Sequence, residues 1–107
     1  MTDERRKLPR APGVLDGLWF GTGMPCRISG LNTAGCYIES LSPPQKGTQI
    51  RAELKLPQGT LSVQGEVLYA DPRMGFAISF LDLQPEAHVM LKKAVDVLTE
   101  YARLTAV

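Results

Sequence analysis

Residues 50–69 read IRAELKLPQGTLSVQGEVLY, and this stretch decides the fold. Ile50, Ala52, Leu54 and Leu56 alternate with Arg51, Glu53 and Lys55, a period of two that gives a strand one apolar and one charged face. Pro57-Gln58-Gly59 follows; proline presets φ and glycine enters conformations closed to other residues, so the chain turns here. Leu61, Val63, Val67 and Tyr69 continue on one face of a second strand, and the two segments predict a hairpin.

The same pattern extends outward in both directions. Asp71-Pro72-Arg73 turns the chain again, and Phe76, Ile78 and Phe80 alternate with Ala77 and Ser79, which predicts a third neighbouring strand with its aromatic face inward. Upstream, residues 14–20, 24–29 and 35–40 read as strands, interrupted by Gly21-Thr22-Gly23 and by the loop from Gly30 to Gly35. Six short strands punctuated by glycine and proline predict a mainly β barrel or sandwich. After Asp82 the period changes. Pro85 suits a first helical turn and Glu86 complements the helix dipole, while Leu91, Ala94, Val95, Leu98 and Ala102 recur at helical spacing, so a helix is expected over residues 85–104.

With 107 residues, 44% of them apolar and 21% charged, the chain has room for one core. Pro9, Pro12 and Gly13 disfavour helix in residues 1–13, which read as a flexible, extended arm ahead of a single domain over 14–107. No apolar run approaches the ~18 residues that span a bilayer, and the N-terminus MTDERRKLPR lacks the apolar stretch of a secretion signal. No membrane insertion and a cytoplasmic location are therefore expected. Cys26, Cys36 and the single His88 are too few for a structural zinc site, so no metal is expected and the cysteines read as reduced thiols.

Net charge is +1 overall, yet residues 1–10 hold Arg5, Arg6, Lys7 and Arg10 against Asp3 and Glu4. The arm is thus +2 and the remainder −1, which does not describe a polycation seeking DNA or RNA. Arg6 and Arg10 are four residues apart, so in an extended chain they point to the same side roughly 13 Å apart. Arginine grips phosphate bidentately, donates to the O6 and N7 edge of guanine and stacks on rings. By spacing alone such a run is more often a solvated tail. The loop Gly30-Leu31-Asn32-Thr33-Ala34-Gly35 offers backbone freedom and the Asn32 amide, although alone it is an ordinary turn.

Together these residues resemble the PilZ family. Arg5-Arg6-Lys7-Leu8-Pro9-Arg10 matches its RxxxR motif with a preceding arginine, and the frame of its [D/N]xSxxG motif falls on Gly30 to Gly35. Gly35 is kept, Gly30 stands where the family has Asp or Asn, and Asn32 stands where it has Ser. Met74-Gly75-Phe76-Ala77-Ile78-Ser79-Phe80 is similar to the family's last barrel strand, which a helix follows. The resemblance implies a six-stranded antiparallel β-barrel with a C-terminal helix. It further implies that Arg5, Arg6, Arg10, Gly30, Asn32 and Gly35 bind cyclic dimeric GMP, a ligand rather than a cofactor.

The resemblance also implies a receptor that orders its arm on the ligand and signals to a downstream protein, as monomer or homodimer. The alternative is a degenerate module of this kind that has lost the nucleotide and works through its helix or barrel surface. Catalysis is not expected, because His88, the cysteines and the carboxylates at turns form no acid, base and nucleophile constellation. An RNA-binding barrel needs exposed aromatics for stacking, whereas Trp19, Phe76 and Phe80 read as core.

Overall fold

The computed structural model describes residues 9–21 and 23–105. Six strands, β1 (Val14–Trp19), β2 (Pro25–Ser29), β3 (Gly35–Glu39), β4 (Gln49–Leu56), β5 (Gly59–Asp71) and β6 (Gly75–Leu81), precede one helix, α1 (Pro85–Thr105). The strands close into an antiparallel barrel in the order β1-β2-β3-β6-β5-β4. Closure removes the free sheet edges through which short β domains aggregate.

The hairpin anticipated from residues 50–69 is the longest ladder, running from Gln49↔Glu66 to Leu56↔Gly59. Its two-residue connection works because Gly59 takes φ +147°, in a region L side chains avoid. Inward residues of all six strands meet in one core that includes Trp19, Ile28, Ile38, Leu54, Val67, Phe76 and Ile78. Phe76 is fully buried and the Trp19 ring meets it edge-on at 5.2 Å, so these aromatics pack the interior as their alternation implies.

The sequence reading places Tyr69 on the inward face with Val67, and here the structure differs. β5 carries a bulge: Val67 pairs with Ile78 and Tyr69 with Ala77, leaving Leu68 without a partner. An extra residue reverses the in-out parity of whatever follows. Beyond Leu68, Ala70 faces inward with Phe76, while Tyr69 and Asp71 join Tyr37 and Gly75 on the outer face.

Helix α1 is held along one face from Met90 to Leu98. Leu91 and Ala94 are fully buried, Val95 and Leu98 pack partly against the core, and Gln58 Nε2 at the β4–β5 turn donates to the Met90 carbonyl at 2.8 Å. Val97, Tyr101 and Leu104 further along are exposed. Among the described residues no helix is long and apolar enough to cross a membrane.

Candidate functional site

The loop between β2 and β3 is built around Asn32. Its side chain is buried, and its Oδ1 accepts N–H groups from Ala34 at 2.8 Å and Gly35 at 2.9 Å, while its own N–H donates to the Gly35 carbonyl at 3.0 Å. Asparagine suits this position because its short amide satisfies nearby backbone that would otherwise stay unpaired. The Phe80 N–H donates to Ala34 O at 2.8 Å, which ties the loop to β6. Gly30 enters the loop at φ +59°, the left-handed conformation that glycine adopts without a steric cost.

The N-terminal segment docks onto this loop. The Ala11 N–H donates to Leu31 O at 2.7 Å, and Ala11 itself is buried within the core cluster beside buried Leu31. Arg10 is therefore held next to the loop with its side chain exposed. Of the six residues expected at the site, Arg10, Gly30, Asn32 and Gly35 come together; Arg5 and Arg6 lie outside the described residues.

A cleft of about 880 Å³ opens beside this corner, within the size range of small-molecule sites. It exists because β2 and β3 pair only through Ile28↔Ile38 and Ser29↔Tyr37. Ser29, next to Gly30, lines the end near the loop. Trp19, Cys26, Asp16 and Arg27 line the β1–β2 side, and Tyr37, Glu39, Arg73 and Met74 the other. Met24, Leu41 and Met74 are exposed apolar side chains around it. Burial pushes the Cys26 thiol up from its usual range, so it stays protonated and weakly nucleophilic.

Sequence reasoning missed the wall of this cleft. Tyr37 leans across β6: a Cβ at Gly75 would strike the Ile38 carbonyl oxygen and come within 2.7 Å of Tyr37 Cε1. Its hydroxyl donates to Asp71 Oδ2 at 2.8 Å and its ring meets Tyr69 at 6.5 Å. Ala77, facing outward between the two tyrosines, is fully buried. Burial and the bond to Asp71 push the Tyr37 hydroxyl up to about 12. The outward position of Tyr37 was legible from its place between Cys36 and Ile38; that of Tyr69 was not, because no residue type marks a bulge at Leu68.

Two solved structures share this architecture. The PilZ domain with c-di-GMP of YcgR from Escherichia coli aligns with 90% of this chain and 91% of its own length at a TM-score of 0.71 and 16% identity. The Bacillus subtilis inhibitor of motility, MotI/DgrA, aligns with 97% of this chain at a TM-score of 0.72 and 15% identity, and the chain spans 54% of that protein. No family model and no curated protein matches the sequence. At these identities the likeness is one of fold, and the fold is that of a PilZ-type domain.

Proposed function

We propose that this chain is a receptor or adaptor module that binds cyclic dimeric GMP, closes its arginine arm on the nucleotide and signals to a partner protein in the cytoplasm. The observation that carries this reading is the Ala11 N–H bond to Leu31 O, which ties residues 9–13 to the Gly30–Gly35 loop with Arg10 next to that bond. Arg10, with Arg5 and Arg6 upstream, supplies bidentate donors for phosphate and for the guanine O6 and N7 edge. Gly35 and Asn32 hold the loop in shape, and the positive φ of Gly30 turns its backbone at the arm's docking point. Support for the ligand class comes from the YcgR domain, which has the same fold and holds c-di-GMP.

Calorimetric titration with cyclic dimeric GMP tests the reading. Wild type is expected to bind, and Arg6→Ala/Arg10→Ala to lose affinity by at least ten- to a hundredfold, since each hydrogen bond to a charged group contributes about 1.5–3 kcal/mol. Gly30→Asp is expected to tighten binding by restoring a guanine acceptor; Asp is among the side chains that enter the left-handed region at least cost. No heat from wild type at high micromolar nucleotide would sink the receptor reading.

A second reading then takes over, an interaction module without a nucleotide. Asn32 favours it, because its Oδ1 is already committed to Ala34 and Gly35. So do the exposed Val97, Tyr101 and Leu104 on α1, apolar residues at helical spacing that suit a protein partner.

A further inference from the structure

The barrel has two ends, and the helix closes only one of them. At the end holding the β4–β5 turn, Leu91 and Ala94 of α1 are buried in the core and Gln58 ties the turn to Met90. The other end is formed by three connections: residues 20–24 between β1 and β2, 40–48 between β3 and β4, and 72–74 between β5 and β6. Backbone hydrogen bonds hold each in place. The Phe20 N–H donates to Arg51 O at 3.0 Å and the Gly23 N–H to Trp19 O at 3.2 Å. The Ser40 N–H donates to Met74 O at 3.0 Å, which sets the second and third connections side by side, and the Gly47 N–H to Val67 O at 2.8 Å fastens the far end of the second.

These held backbones present large apolar side chains to solvent. Leu41 is 82% exposed, Met24 and Met74 are each 66% exposed and Phe20 49%, so every connection contributes at least one. The three connections also contain two cations, Lys46 and Arg73, and no carboxylate. Arg73 takes φ +62°, so a cation occupies a position that glycine would fill with least strain. The nearest acids in sequence, Glu39 and Asp71, lie on the strands, and Asp71 accepts the Tyr37 hydroxyl.

Apolar side chains scattered singly over a surface need no explanation; four gathered at one end with two cations and no acid do. The headgroup region of an anionic bilayer takes apolar side chains a short way in and draws lysine and arginine to its surface, while it repels carboxylates. A protein partner brings polar groups of both signs and gives no reason for acids to be missing from all three connections. We propose that this end of the barrel docks on an anionic lipid surface, with Phe20, Met24, Leu41 and Met74 entering the interface and Lys46 and Arg73 at the headgroups. The domain then lies on the bilayer without crossing it, and the Gly30–Gly35 loop, at the opposite end of the barrel, faces away from the lipid.

Flotation of the full chain with vesicles, without nucleotide, tests this separately from the receptor reading. Vesicles of phosphatidylethanolamine and phosphatidylglycerol are expected to carry the protein, and phosphatidylcholine vesicles to leave most of it behind. Lys46→Gln/Arg73→Gln should weaken binding about twenty- to thirtyfold, since each cation near such a surface contributes about fivefold. Leu41→Asp/Met74→Asp should abolish flotation; both side chains are largely in solvent, so the variant keeps its barrel, checked by circular dichroism. Leu41→Trp should emit further to the blue on anionic vesicles, which separates entry into the interface from adsorption by charge alone.

Failure of wild type to float with anionic vesicles at low salt overturns the proposal, and a protein partner then becomes the occupant of the apolar end. Flotation that a folded Leu41→Asp/Met74→Asp variant retains overturns it too, as does a Leu41→Trp emission that lipid does not move.

Discussion

The β2–β3 pair has two unlike ends. At the Gly30–Gly35 end, Asn32 satisfies two N–H groups, Ala11 and Phe80 donate into the loop from outside, and little is left to move. At the other end the ladder stops after Ile28↔Ile38, the strands part, and the gap is bordered by Met24, Leu41 and Met74. Methionine adapts its shape cheaply. Fixed geometry orients a ligand and open volume receives it, and one short strand pair supplies both.

The largest expected effect breaks the tight end. Asn32→Ala removes the acceptor for the Ala34 and Gly35 N–H groups, and leaving such groups unpaired in the interior should cost about 2–4 kcal/mol of stability in urea denaturation. Asn32→Asp keeps an acceptor oxygen and should cost much less. If Asn32→Ala loses under about 1 kcal/mol, the loop is not held as described.

A smaller change disturbs the open end. In Gly75→Ala the new methyl meets the Ile38 carbonyl and the Tyr37 ring, and overpacking of this kind typically costs about 1–3 kcal/mol. The Tyr37–Asp71 bond should be lost with it, visible as a fall in the Tyr37 titration point. An unchanged titration would mean that the ring does not rest on Gly75.

The smallest effect is read at alkaline pH. Because the Tyr37 hydroxyl is raised from an ordinary 10.0 to about 12, the folded state favours its neutral form. The resulting stability is fully present below pH 10 and is lost as pH rises through about 12. Absorbance titration should show a tyrosinate forming near 12 that Tyr37→Phe removes. A wild-type curve identical to that of Tyr37→Phe would contradict the bond to Asp71.

Much of the barrel was legible because its strands follow period two and its turns carry glycine or proline. Ile50 to Leu56 alternates without exception, and Pro85 with Glu86 marks the helix start. Half of the candidate site was legible too, since arginine spacing and a glycine-bounded loop are local patterns. Docking of Ala11 on Leu31 was not, because alanine at the edge of a basic tail carries no signal of burial. Nor was the cleft, which depends on where β2 and β3 stop pairing, a property of two strands together rather than of either one.

The extra residue at Leu68 acts on the molecule as a frame shift acts on a message. Everything after it in β5 is read in the opposite sense, so the composition of residues 69–71 is unchanged while the surface they belong to is exchanged. Smoothing the bulge with Leu68 kept in the ladder would send Tyr69 and Asp71 into the lumen and bring Ala70 out, erasing the support of Tyr37, whereas deleting Leu68 would leave Tyr69 opposite Ala77 and Asp71 opposite Gly75. The outer wall of this barrel is therefore specified by register as much as by amino-acid type.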